Sequence, residues 1–194
     1  RVPADRFTAP DLPVQPWTAP PARDDFDAPT LGPHWQAPRV PIDAAMASLS
    51  ARPGFLRLYG RESIVSRFEQ SLLARRQQAF RIEASTCVEF SPEDFQQMAG
   101  LVAFYSTDSF YYLFLSRTEH SARALGLMRC ERGQLSWPVE KEYPLDDCER
   151  VYLKLCIDHD RIRFAYSRDG ELWSAVGWEH DASILSDEHA LPCG

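Results

Sequence analysis

No run in this 194-residue chain approaches the ~20 apolar residues that a membrane-spanning helix needs. No charged-then-apolar leader stands at its start, where Arg1 occupies the first position, so the chain is expected to be a piece of something longer. Basic excess is missing too: 21 Lys and Arg against 28 Asp and Glu leave a net charge of -7 and a pI near 5.2. That balance argues against nucleic-acid or anionic-membrane partners, which need clustered cations. The five cysteines, Cys87, Cys130, Cys148, Cys156 and Cys193, include no CxxC pair and no Cys/His group at zinc spacing. They read as reduced structural thiols of a cytoplasmic protein. A glycine-rich phosphate loop is absent, and His34, His120, His159, His180 and His189 are scattered without metal or triad spacing. No convincing helix longer than a turn or two is present; the brief candidates are 43–49 and 182–188.

What remains is an ordinary folded composition, 44% hydrophobic and 25% charged, long enough for one domain and a tail. Residues 1–23 hold Pro3, Pro10, Pro13, Pro16, Pro20 and Pro21 and show no periodicity, which predicts an extended connector. Phe7, Leu12 and Trp17 punctuate it and suggest that it docks on a neighbouring surface. From residue 24 to 194 the pattern is one of short strands. FRIEASTCVEF (80–90) alternates, with Phe80, Ile82, Ala84, Thr86, Val88 and Phe90 predicted to be buried. GFLRLYG (54–60) is a further compact candidate. LVAFYS (101–106) and SFYYLFLS (109–116) are apolar on both faces, which predicts central strands joined by a hairpin at Thr107-Asp108. VYLKLCID (151–158) buries every second residue, and RIRFAYSRDGELW (161–173) carries a hairpin signal at Asp169-Gly170. The fold class is all-β, an antiparallel β-sandwich.

Active-site chemistry is hard to find. Paired carboxylates suit a glycosidase, but Glu83 and Glu89 lie about 20 Å apart along one strand. Asp146-Asp147 and Asp187-Glu188 sit in turn-like segments, where solvated acids are the rule. A sugar-binding face is the more serious possibility. Trp35, Tyr59, Tyr105, Tyr111, Tyr112, Trp137, Trp173 and Trp178 supply aromatic area, and Arg76, Gln78 and Gln97 supply hydrogen-bond donors. The competing reading makes Tyr111 and Tyr112 core residues.

Five stretches in order carry a resemblance: LGPHWQAPR (31–39), RPGFLRLYGRES (52–63), SLLARRQQAF (71–80), EDFQQMAGLVAFY (93–105) and DASILSDE (181–188). Over about residues 24–188 the chain resembles the C-terminal concanavalin-A-like sandwich (jelly roll) of glycoside hydrolase family 43 β-xylosidases. The resemblance implies an accessory domain of an inverting exo-β-xylosidase/α-arabinofuranosidase. Its catalytic carboxylates lie on a five-bladed propeller in the same chain, and a xylo-oligosaccharide sits at the domain junction. The family pattern continues into a final strand, whereas HALPCG (189–194) departs from it, so the sandwich could lack its last strand. No cofactor is implied; such sandwiches sometimes hold structural calcium, but no Asp-rich loop here demands it. The alternative is an independent carbohydrate-binding module, and a sandwich without its propeller would expose apolar surface and form homo-oligomers. Arg75, Arg76, Gln78, Gln97, Tyr105 and Tyr112 are the candidates for carbohydrate or domain-interface contacts, with no catalytic and no metal-binding residue assigned.

Overall fold

Strict alternation is carried furthest in VYLKLCID, and there Val151, Leu153, Leu155 and Ile157 are buried while the side chains between them are partly open. The computed structural model describes residues 11–13, 15–16 and 19–190. Eleven strands follow in chain order. The first four are β1 (Ala47–Ser48), β2 (Arg57–Leu58), β3 (Arg81–Glu89) and β4 (Ala99–Ser106). Next come β5 (Ser109–Ser116), β6 (Ala124–Glu131), β7 (Gln134–Ser136) and β8 (Tyr143–Pro144). The last three are β9 (Arg150–Asp158), β10 (Arg161–Ser167) and β11 (Ser174–Asp181). The named strands pair antiparallel throughout. β1 and β2 form a small two-stranded sheet; of the two large sheets, one has the order β11-β10-β9-β3 and the other β4-β5-β6-β7, with β8 added beside β6.

The sheets face each other across one core. Tyr111, Leu113, Leu115, Leu125 and Leu127 from one meet Val151, Leu153, Leu155, Ile162, Phe164 and Val176 from the other. A second apolar layer lies on the far face of β5 and β6: Phe110, Phe114, Met128 and Cys130, with Ile64 and Tyr112 packed on them. The irregular chain between β2 and β3 covers that layer. Gln70, 2% exposed, holds it in place by donating to the carbonyls of Ile64 and Ser66. Burial on both faces therefore makes SFYYLFLS apolar throughout, as expected of a central strand. LVAFYS has the same composition, yet β4 is the edge of its sheet. Its two-faced apolarity comes from core on one side and the covering layer on the other, not from neighbours in the sheet.

Other local expectations are redrawn by tertiary contacts. Phe80 continues the inward parity of β3 but is 76% exposed; it lies just outside the strand, stacked on His159 at 5.9 Å. GFLRLYG contributes only the two residues of β2, and 71–80 forms no strand, only the bridge Gln36↔Ala74. The helix candidates become a turn at 43–46, capped by the Asp43 carboxylate, and a 3-10 turn at Ala182–Leu185 capped by Asp181. Thr107 and Asp108 do form the two-residue connection between β4 and β5. Asp169-Gly170 sits in a wider loop, where the Asp169 carboxylate accepts from the backbone N–H of Leu172 and Glu171 and from the Ser167 hydroxyl. Those bonds hold its pKa down at about 2. Gly170 turns there with φ of 84°.

Candidate functional site

The six candidate residues do not converge on one surface. Arg76 and Gln78 are exposed in the passage before β3. Gln97 lies in the loop before β4, its amide oxygen accepting from the Glu93 N–H at 2.9 Å. Tyr105, on the edge strand β4, donates its hydroxyl to Asp187. Tyr112 belongs to the covered outer layer of β5, its ring centroid 5.5 Å from that of Phe114, and burial pushes its phenol pKa up. Among the described residues, Arg75 is the one of the six that hydrogen-bonds to the proline-rich stretch.

That contact is part of a small cluster. The Arg75 guanidinium lies 5.7 Å from the centre of the Trp35 ring and donates to the Ala22 carbonyl at 3.4 Å. Trp35 in turn donates its indole N–H to Asp24 Oδ2 at 2.7 Å, and Asp24 Oδ1 accepts from the Phe26 N–H. These two bonds, the Trp35 one first, hold the Asp24 carboxyl below the usual carboxylate range. His34 Nε2 lies 3.7 Å from Asp24 Oδ2, buried and without a hydrogen-bond partner. Gly32 leaves room for this imidazole, because a Cβ there would fall 2.5 Å from its Cε1. The bridge between Gln36 and Ala74 joins the two stretches that carry Trp35 and Arg75. LGPHW and LARRQ thus form one clasp around residues 22–26, where the proline-rich stretch enters the sandwich. Leu12, farther up the connector, is 70% exposed. Phe7 and Trp17 lie outside the described residues.

The clasp contains no nucleophile beside a base, so its chemistry is positional. The other carboxylates that invited attention are engaged in ion pairs or turns. Glu83 pairs with Lys154 at 2.9 Å, Glu89 accepts from both Nε and Nη2 of Arg52, and Asp147 pairs with Arg168. Asp146 accepts from the Arg123 N–H. Arg123, 9% exposed, is a buried hub that donates to the carbonyls of Leu145, Phe90 and Glu149. Among the described residues, no group of three or more His, Cys, Asp or Glu is placed to hold a metal ion. Sequence reasoning gave no role to Asp24, His34 or Arg123, whose partners include residues from other segments, Trp35 for Asp24 and the carbonyls of Phe90, Leu145 and Glu149 for Arg123. The one signal available is LGPHW itself, where Gly32 stands two positions before His34 and Trp35 follows it.

Comparison with known proteins gives a consistent picture. Residues 23–193 match the family described as the beta xylosidase C-terminal concanavalin A-like domain. The chain is 38% identical to a xylan 1,3-beta-xylosidase of Vibrio sp, covering 97% of this chain and 35% of that protein. It is 36% identical to a beta-xylosidase of Bacillus subtilis (strain 168), over 87% of this chain and 32% of that one. Among solved structures, a xylan beta-1,4-xylosidase from Bacillus halodurans C-125 superposes with a TM-score of 0.90 at 40% identity, covering 97% of this chain and 36% of that chain. The chain thus spans about a third of the length of the curated relatives it matches.

Proposed function

Because the chain belongs to the beta xylosidase C-terminal concanavalin A-like domain family, we propose that it is the accessory sandwich of an exo-acting glycoside hydrolase that removes xylose, or arabinofuranose, from xylo-oligosaccharides. In this reading residues 24–194 form the sandwich, and residues 1–23 connect it to a catalytic propeller of the same protein. The sandwich packs on that propeller and helps to shape the mouth of its substrate pocket. It contributes no catalytic residue of its own.

The observation that carries the reading is the clasp on the connector. Arg75 and Asp24 fix the chain at the point where the family match begins, near residue 23. A domain that served only as a loosely strung module would gain little from such a fixed entry, because free linkers leave their modules to diffuse independently. The share of the relatives that this chain covers, about a third, supports a catalytic portion outside it.

The test is direct. The pure 194-residue chain is expected to show no turnover of nitrophenyl β-xyloside or nitrophenyl α-arabinofuranoside. Hydrolysis by this chain, persisting through purification, would overturn the reading.

A further inference from the structure

β3 keeps unbroken register with β9 over all nine of its residues, and β9 is its one neighbour in the sheet. Its outer edge is bare: among the described residues, no hydrogen bond from a loop or a side chain reaches a backbone group of residues 81–89. Three devices that blunt such edges elsewhere are missing as well. β3 has no proline, no bulge breaks its ladder, and no charged side chain points inward, where Ile82, Ala84, Thr86 and Val88 stand. The other free edge, β4, does carry a bulge, where its register with β5 shifts between Phe104 and Ser106.

The core is unfinished beside this edge. Ile82, Ala84, Thr86 and Val88 are all only partly buried, whereas their β9 neighbours Ile157, Leu155, Leu153 and Val151 are buried. A further strand here would take that apolar surface out of water and satisfy the idle backbone groups at the same time.

We propose that this strand is β3 of a second copy of the chain, running antiparallel across a two-fold axis at Ser85, so that two four-stranded sheets join into one. The sequence of β3 is complementary to itself in that register. On the inward face Ile82 opposes Val88 of the other copy, and Ala84 opposes Thr86. On the outward face Arg81 opposes Glu89. A two-fold axis makes every such contact twice.

The surrounding charges extend the match. Asp158 pairs with Arg81 at 2.8 Å, and Arg150 lies 3.6 Å from Glu89. The joined sheet therefore carries a row of alternating sign: Asp158 and Arg81 of one copy, then Glu89 and Arg150 of the other. Arg52 also donates to both oxygens of Glu89, but an ionised carboxylate has about four acceptor sites and can be shared. Exposed ion pairs add little strength; here they select the register. Sliding the strands by two residues sets Glu83 against Glu89 in one direction and leaves Arg81 facing Cys87 in the other. Sliding by one turns the inward side chains outward. Backbone pairing and the half-open apolar seam supply the attraction, and this self-complementarity marks a second copy as the occupant.

The experiment is sedimentation velocity of the 194-residue chain over a wide range of concentration, where a reversible monomer–dimer equilibrium is expected. Ser85→Glu should weaken the dimer about tenfold, because two carboxylates then meet at the axis. Within one copy the same carboxylate faces Lys154, the β9 residue opposite position 85, so the melting temperature should not fall. Ala175→Glu, at an exposed position on β11 at the far edge of the same sheet, should leave the dimer unchanged. Opposed residues of an antiparallel pair lie about 4.5–5.5 Å apart at Cα, within disulfide reach. Ser85→Cys, oxidised with diamide, should therefore crosslink to its own counterpart and yield one self-linked peptide on digestion. A chain that stays monomeric throughout, its β3 edge left free or taken by another segment or partner, overturns the proposal. So does a dimer that survives Ser85→Glu, or one that Ala175→Glu weakens equally.

Discussion

At the scale of single residues, the decisive groups are those whose partners are far away in sequence. Asp24 and Trp35 meet through one 2.7 Å bond, while Arg75 reaches Ala22 across 53 positions. Replacing Asp24 by Ala strands the Trp35 N–H in a part-buried site and is expected to cost about 1–3 kcal/mol, read as a lower urea midpoint. Gly170 makes a different demand. At φ of 84° with the Tyr152 ring 3.2 Å from any added Cβ, Gly170→Ala should cost about 1–2 kcal/mol by thermal unfolding. His180 brings a pH dependence. Its folded pKa is lower than the ordinary 6.5, so below that pH the unfolded chain takes up the proton first. The stability it confers is intact above pH 6.5 and drains as pH falls toward the folded value. His180→Gln should therefore show a flatter melting-temperature profile below that pH than the parent. Sequence could single out Arg75, because a guanidinium in an apolar run is locally odd. It could not supply Asp24, because nothing in the residues around it reveals which residue 11 positions away its carboxylate will meet.

At the scale of elements, legibility followed the number of faces a strand buries. β9 and β10 bury one face each, and their period of two is plain in Val151, Leu153, Leu155, Ile157, Ile162 and Phe164. β5 buries both, so composition revealed a covered strand without revealing what covered it. β6 reads only weakly as a strand, around Cys130, because ALGLMRCE draws most of its residues from Ala, Leu, Met and Arg, all better helix formers than strand formers, and pairing with β5 overrides that preference. β4 looked central and is an edge, since hydropathy reports cover above and below a strand but not neighbours beside it. Hydrogen exchange separates the two. Amides of β5 and β9, paired on both sides, should exchange slowest, and those of β4 at least tenfold faster. Equal protection of β4 and β5 in the isolated chain would contradict this edge assignment.

At the scale of the whole molecule, the two sheets place two long unpaired edges near one another. β4 packs close to β3 and β9, and among the described residues neither β3 nor β4 has a strand on its outer side. Open edges of 8 and 9 residues are templates for pairing with another chain. The net charge of -7 opposes such pairing by repulsion between copies. Light scattering should accordingly show association that grows with protein concentration and increases when salt screens the repulsion. A strictly monomeric chain at high salt would mean that these edges are protected by their own twist and charge.

The connector clasp also sets a length. Chain bound between Ala22 and Trp35 no longer contributes slack, and each residue so held removes about 3.5 Å from the reach of the proline-rich stretch. A partner on a shorter tether samples a smaller volume and meets the sandwich at a higher effective concentration. In the function proposed above, Arg75, which among the described residues touches backbone and a ring, would act on the encounter rate between sandwich and propeller: opening its grip would dilute one against the other.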